Sequence, residues 1–492
     1  MMRSFTGRHR WALWGLIAFV LIQGLISIAG RDLIGNDDPR VAGIARWMAL
    51  SGNYAVPYLN GEHFLEYPSL GYLPIALGLS LSDHPGHFLA LLPSVLLGVG
   101  TIYFTCRIGL LLGGTRIGLL SGFILATTAG FYNLHRRCLV DPSLLFWITV
   151  SLYGFIATVK APNRTFPHFA MFYFGMAAAF LSKGLIGLAV PMAVVTAYIV
   201  LSRNWKILGR LRPLAGALVF CLPLLLWGYM AFRVGGYEVL KEFLRQSVWR
   251  FSSSGAPHSA PFYFYLDVVF YLHLPWILLL LVLAWTRWGP PRCRERLLPG
   301  GEALFPAVWF MVTLLGLSVA SVKRNIYLAP LFPALAILAA QTWDRIAQKY
   351  QLAHRIEPWL APGFLILFAV VHFMILLPNE LPSSMHPSFE IVTREMAPKE
   401  VVLYKPSEAL RGAAVFYLGK NVPVAWNIQE LKQMLAHEGR LLVVAMVHKE
   451  TTAAFGPDLM PPGLELLSKK KWGRRRFIKV YLRPPQAGSS KG

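Results

Sequence analysis

The sequence predicts an all-α polytopic membrane protein of about eleven spans, followed by a small α/β domain. Three observations carry this. Of the 492 residues, 55% are hydrophobic and only 14% charged. Soluble domains are about 25% charged, so this chain cannot solvate itself as a globular, disordered or coiled-coil protein. Apolar runs of about 20 residues recur, each long enough to cross a bilayer as a helix. The formal net charge of +23 is spread over alternate loops, as the positive-inside rule requires. A nucleic-acid binder carries such charge on a polar chain, so no nucleic-acid partner is expected. Cys106, Cys138, Cys221 and Cys293 form no CxxC pair and no disulfide framework.

The first run, Trp11–Ala29, follows Arg3, Arg8 and Arg10. Ser27 and Ala29 resemble a signal-peptidase site, yet many spans follow. The run reads as a retained helix with its N-terminus in the cytoplasm. Further spans fall near 88–112, 116–133, 139–160, 166–181, 184–202, 211–232, 264–286, 303–320, 325–341 and 358–377. The segment 71–82 is about a dozen residues, too short to span, and suits an interfacial or re-entrant helix. Leaving it out puts Arg116, Lys160 with Arg164, the Arg203–Arg212 group, the Arg287–Arg296 group and Arg345/Lys349/Arg355 on the cytoplasmic side. The opposite face then holds 31–87, the turns near 134–141, Ser182–Lys183 and Lys323–Asn325, the loop 233–263 and the C-terminus. This implies a plasma (inner) membrane protein with its site on the extracytoplasmic, periplasmic side.

Residues 1–380 read as the transmembrane catalytic domain and 385–492 as a small extracytoplasmic domain. In the second part Val401–Tyr404, Ala413–Leu418 and Leu441–Val447 read as strands. Ile428–Glu438 reads as an amphipathic helix with Leu431, Met434 and Leu435 on one face. The run Lys469 to Arg476 reads as a solvated or membrane-hugging basic tail, or one that meets anionic lipid or lipopolysaccharide phosphates.

Chemistry is expected where polar groups crowd a span end. Gly35-Asn36-Asp37-Asp38-Pro39-Arg40 follows the first span directly. Paired acids at a membrane surface are costly unless paired, hydrated or used. Pro39 suits the first position of a helix and Asp38 its cap. Either both acids cap Arg40–Leu50, or one faces a cavity as a general base.

The same loop continues through Ser51-Gly52, Val56-Pro57, Leu59-Asn60-Gly61 and Glu66-Tyr67-Pro68-Ser69-Leu70. In order, these residues resemble the first loop of the GT-C glycosyltransferases of the protein-mannosyltransferase and lipid A aminoarabinose-transferase type. Arg136-Arg137-Cys138-Leu139-Val140-Asp141 resembles the turn with that family's second acid, and Leu181-Ser182-Lys183-Gly184 its Lys-Gly turn. His258 to Tyr265 with Leu274-Pro275-Trp276 resembles its "HxxPfyyY…lPW" loop, and Lys323 to Pro333 its "K-x-x-YllPlyP" segment. The likeness covers about residues 10–380. Tyr67 and Ser69 stand where the motif has Lys and Pro, and Val41 and Ala42 where it often has Tyr-Ala.

The resemblance implies a GT-C fold and an inverting transfer of sugar from a polyprenyl-phosphate-linked donor, undecaprenyl or dolichyl. The acceptor would be lipid A, another glycolipid, a glycan or a protein. A phosphate leaving group needs preorganised cations; Arg40, Arg136, Arg137, Lys183, Lys323 and Arg324 are the candidates. Asp37 is expected as the base, Asp141 as its assistant, and Asp38 as the residue that orients Arg40 or caps the helix. Tyr67, Tyr263, Tyr265, Trp276 and Tyr327 would line the sugar pocket or belong to an interfacial belt. Glu66 and His258 suggest a divalent metal (Zn, Mg or Mn), or a hydrogen bond between two loops. The rival classes are a flippase or transporter, which predicts charge at mid-membrane depth, another enzyme consuming lipid-linked glycans, and a non-catalytic envelope-assembly subunit.

Overall fold

The computed structural model describes residues 5, 7–160, 165–252, 260–279, 281–282, 301–320, 322–351, 353–395, 400–436, 441–448, 461, 463–472 and 476–483. The chain begins with α1 (Arg8–Ile28) and then α2 (Asp37–Ser51), which carries both acids in its first turn. Gly52 ends α2 in the left-handed conformation, φ 68°, and its N–H donates to Met48 O. A two-residue hairpin, β1 (Tyr58–Leu59) with β2 (Glu62–His63), leads to α3 (Leu73–Leu79). Its seven residues match the expectation of a non-spanning segment. Next come α4 (His87–Gly113), α5 (Thr115–Ala126), α6 (Ala129–His135), α7 (Asp141–Lys160), α8 (Thr165–Lys183), α9 (Leu185–Ser202) and the short α10 (Lys206–Leu211). Then follow α11 (Pro213–Ser252), α12 (Phe264–Leu272), α13 (Leu304–Val319), α14 (Phe332–Lys349) and α15 (Ala353–Val370), which runs on through a π-turn to Glu380.

Among the described residues, eight helices are long and apolar enough to cross a membrane, or nine if the bent pair α5–α6 is one span. Eleven spans were expected; the three outside this set of eight are 116–133, 166–181, which is the 19-residue helix α8, and 264–286. The expected span 264–286 breaks after Leu272, because Pro275 disfavours helix in the residue before it, and is helical again at 277–279 and 281–282; 280 and 283–286 lie outside the described residues. The expected span 116–133 bends by 66° between α5 and α6. There Thr127 Oγ1 and Thr128 Oγ1 donate to the carbonyls of Phe123 and Ile124, each at 2.7 Å, which diverts the backbone from a straight ladder. The bend turns α6 and the Arg136–Arg137 corner towards α2.

Lipid tails are as apolar as leucine, so tight packing rather than water exclusion holds the bundle. A Cβ on Gly154 would lie 2.5 Å from Phe172 N, and one on Gly175 2.7 Å from Ser151 N, so α7 and α8 touch backbone to backbone. Phe155, Phe172, Trp309 and Ile337 fill the core beside them.

The C-terminal part holds α16 (His386–Glu395), α17 (Glu408–Leu418) and α18 (Ile428–Ala436) around a sheet of β3 (Glu400–Tyr404), β4 (Val424–Ala425), β5 (Leu441–His448), β6 (Glu465–Trp472) and β7 (Arg476–Arg483). The order is β4-β3-β5-β7-β6, parallel through β4, β3 and β5, and antiparallel through β7 and β6. Two expectations are corrected here. Ala413–Leu418 is not a strand but the end of α17, whose first turn is capped by Ser407 Oγ accepting from Leu410 N and whose end is Gly419 at φ 65°. The basic run is no free tail: Lys469–Trp472 belongs to β6 and Arg476 opens β7, with 473–475 outside the described residues.

This part is fastened to the bundle. Ile34, after α1, bridges Ser384, after the last span. α17 lies on α2 so closely that a Cβ on Gly43 would sit 2.3 Å from Gly412 O, and one on Gly412 2.4 Å from Pro39 O.

Candidate active site

Helix α2 starts at the bundle end where the C-terminal part docks, and Asp37 in its first turn faces Arg324 of the bundle. Arg40, one turn on, donates from Nη2 to Asp37 Oδ1 at 2.8 Å, and Arg324 Nη2 donates to Oδ2 at 2.5 Å. The other Arg40 nitrogen, Nη1, donates to Glu408 Oε2 of α17 at 2.7 Å. Burial alone would raise the Asp37 carboxyl, but the charges of Arg40, Arg324 and Arg137 outweigh it and hold the group below its usual range. Asp37 is therefore a clamped carboxylate.

Asp38 departs from expectation. It neither caps α2 nor orients Arg40; Asn36 holds the cap position without a side-chain bond. Asp38 is fully buried and accepts from Arg31 Nη2 at 3.0 Å and Arg137 Nε at 3.1 Å. Arg31 also reaches Glu380 at 3.3 Å, and Glu380 accepts from the buried Arg136. The expected donor-phosphate cation Arg136 is thus spent on Glu380, beneath the surface. Removing one partner from such a buried set typically costs about 3–5 kcal/mol.

Asp141 and Lys183 form a second pair, near enough to Arg324 for the Asp141 charge to act on it. Lys183 Nζ donates to Asp141 Oδ1, and both side chains are buried. The ammonium lies 5.6 Å from the Tyr67 ring centroid and 4.9 Å from that of Tyr327. The two tyrosines expected at the sugar thus form the walls of this pair.

A cavity of about 580 Å³ opens beside Asp37, with Arg137, Lys323, Arg324, Asn133 and Asn325 among its lining. Lys323 Nζ donates to the carbonyls of Ala260, at 3.0 Å, and Ala320. Asn325 Nδ2 donates to Tyr271 OH at 2.5 Å across the same wall. Asp141, Lys183 and Arg136 do not line it. Tyr265 is buried with its hydroxyl 3.4 Å from Arg324 O, so it supports the turn that aims Arg324. Trp276 is a core residue, donating to Thr127 Oγ1 at 2.9 Å and stacking on Phe364. Tyr263 is exposed.

Of the expected metal pair, His258 lies outside the described residues. The Glu66 charge acts on Arg40. Among the described residues no group of three or more His, Cys, Asp or Glu gathers to hold a metal. Sequence reasoning missed Arg31, Glu380 and Glu408. Arg31 and Glu380 sit at the ends of the first and last spans, where an ionisable group is itself a signal. Glu408 carries no such signal; only the fold brings it to Arg40.

The bundle, the outer helix with its acid pair and the docked α/β part together define the GT-C class of fold. Its particulars agree with known proteins. A family model described as dolichyl-phosphate-mannose-protein mannosyltransferase matches residues 67–227. The chain is similar to the crystal structure of ArnT from Cupriavidus metallidurans bound to undecaprenyl phosphate, with a TM-score of 0.74 at 19% identity over 94% of this chain and 97% of that one. It is 27% identical to the undecaprenyl phosphate-alpha-4-amino-4-deoxy-L-arabinose arabinosyl transferase of Aeromonas salmonicida, over 74% of this chain and 66% of the relative. It is 29% identical to the enzyme of that name from Edwardsiella ictaluri, over 69% and 61%. The chain thus spans just under two thirds of the length of these relatives. The likeness to the mannosyltransferase and aminoarabinose-transferase type, legible in the motifs, holds at the level of family model, relatives and fold.

Proposed function

We propose that this protein is an integral-membrane glycosyltransferase that moves a sugar from undecaprenyl phosphate to a lipid A-type glycolipid. The reaction takes place on the extracytoplasmic side of the inner membrane, with the N-terminus in the cytoplasm. Residues 1–380 form the catalytic part, and 385–492 the domain that locks α2. The observation that carries the reading is Asp37, clamped between Arg40 and Arg324 at the wall of the 580 Å³ cavity.

The donor phosphate is the leaving group, and its charge grows as the sugar–oxygen bond breaks. Arg324, Arg137 and Lys323 converge on the cavity and meet that charge. As Arg324 turns to the phosphate it leaves Asp37, whose carboxyl then rises towards a value useful for a base. Asp37 takes the proton of the acceptor hydroxyl while its oxygen forms the bond to the anomeric carbon from the opposite face, which inverts that centre. Arg40, held from behind by Glu408, keeps Asp37 in place. Asp141 and Lys183 set the floor with Tyr67 and Tyr327 rather than act on the acceptor.

The depressed Asp37 favours a second reading. With a phosphate acceptor no proton need be removed, and Asp37 orients the acceptor instead.

The test is transfer by purified protein from undecaprenyl-phosphate-linked 4-amino-4-deoxy-L-arabinose to lipid A, read as the mass gain of the acceptor. Asp37→Asn abolishes transfer while the variant stays folded. Wild-type turnover by that variant sinks the assignment of Asp37. Transfer to a lipid bearing only hydroxyls separates the base from the orienting role.

A further inference from the structure

The sugar-transfer reading makes no use of the β6–β7 hairpin, the most basic stretch of the C-terminal part. Strands β6 and β7 carry Lys469, Lys470, Lys471, Arg476, Lys479 and Arg483 against a single acid, Glu465. β6 is an edge strand of the sheet. Lysines on an edge are usual as protection against strand addition, but three features here exceed that need.

First, the β6 lysines are not neutralised from within the described residues. Lys469, Lys470 and Lys471 are exposed and make no ion pair among the described residues. Lys469 stands directly opposite Lys479 in the antiparallel register. Like charges at paired positions repel, so this arrangement gains from an outside anion. Lys469 also lies 4.9 Å over the Phe477 ring, which holds the ammonium beside apolar surface.

Second, the strand is amphipathic along its length rather than across it. Leu466 and Leu467 are exposed at 51% and 39%, immediately before the lysines. Apolar residues beside a basic cluster are the composition of an interfacial contact.

Third, the position is right. β6 packs against the turn Leu381–Ser383, where the last span leaves the bundle, and Leu381 itself is 49% exposed. Arg476 donates to Asn36 Oδ1 at 3.0 Å, next to Asp37. The hairpin therefore stands at the level where a span end meets lipid headgroups.

We propose that the β6–β7 hairpin is a foot by which the C-terminal domain rests on an anionic lipid surface, with Leu466 and Leu467 at the acyl boundary and Lys469–Lys471 among the phosphates. The inference rests on the membrane-spanning fold and not on sugar transfer, so the two fail separately. Each lysine near an anionic surface strengthens such contact by about five-fold.

The test is hydrogen exchange of the full-length chain in lipid nanodiscs, one set of phosphatidylcholine and one with about 30% phosphatidylglycerol to supply surface charge. Amides of 465–472 exchange more slowly in the anionic discs, by about ten-fold or more. Salt at about 0.5 M removes the difference. In K469Q/K470Q/K471Q the two discs give equal exchange, while α17 and the spans exchange as in the native chain. Equal exchange in both discs with the native protein overturns the proposal, and this arm needs no variant. Protection that survives salt also overturns it. So does protection conferred in neutral discs by free glycerol phosphate, which would mean a site for one anion rather than a surface.

Discussion

Two acid–base pairs stand at the same end of the bundle, Asp37 with its arginines and Asp141 with Lys183. They differ in what surrounds them. Asp37 shares two arginines that have other partners within reach: Glu408 for Arg40, and the cavity for Arg324. Lys183 and Asp141 are buried between Tyr67 and Tyr327, away from the cavity lining. Under the proposed mechanism the first pair exchanges a partner for the donor phosphate, while the second keeps its partner and shapes the site. A charge pair near a membrane surface thus signals function only when one partner can be taken by something else.

The comparison breaks first at the acids themselves. Asp37→Asn is expected to lower turnover by about 10²–10⁴-fold while the variant stays folded, with a smaller fall in melting temperature than Asp141→Asn, measured by donor consumption and by thermal unfolding in detergent. Asp141→Asn is expected to do the reverse, destabilising the fold by about 3–5 kcal/mol because Lys183 is left charged and unpaired. Adding Lys183→Met should recover most of that loss, since a buried pair replaced by apolar atoms is often neutral. A stable, inactive Asp141→Asn would erase the distinction.

A smaller effect is expected at Gly43→Ala. Its Cβ meets the backbone of Gly412, so α2 and α17 must separate, at a cost of about 1–3 kcal/mol, seen as a lower melting temperature.

Arg324→Gln sharpens the comparison through pH. Asp37 is held below its ordinary pKa in the folded chain. A carboxylate so depressed adds stability above the unfolded value, about 3.9, and that share is lost as pH falls through the lower folded value. The acid limb of kcat/KM for the free enzyme should therefore lie below that of an ordinary carboxylate. Arg324→Gln should shift it upward and raise the donor KM by about ten-fold or more, one charged contact being worth about 1.5–3 kcal/mol. Smallest is Glu408→Gln. Glu408 is 45% exposed, and a pair so placed is worth about 0.2–1 kcal/mol. Turnover should fall a few-fold, with donor KM unchanged.

The legibility of the site follows sequence distance. Asp37, Arg40, Arg137 and Arg324 were readable because each sits in a short motif at a span end. Their sorting was not. Nothing local separates Arg137, which faces the cavity, from Arg136, which Glu380 holds from across the fold. Pairing of Asp38 with Arg31 and Arg137, rather than with Arg40, depends on the bend after α5. At Ala413–Leu418, valine and aromatics suggest strand, yet the Ser407 cap and Gly419 frame a helix; the punctuation outweighs the composition. The basic run takes in the end of β6 and the start of β7, so its period of two was hidden by charge.

The bond between Arg40 and Glu408 joins residues 368 positions apart. At the usual pace of synthesis about 20–70 s separate the emergence of the two. For that interval α2 is already at the membrane while α17, which seats it, does not yet exist. Asp37 and Arg40 therefore reach the alignment described above only after α17 has been made, and a product stalled before Glu408 carries the motif without the contact that holds Arg40 from behind.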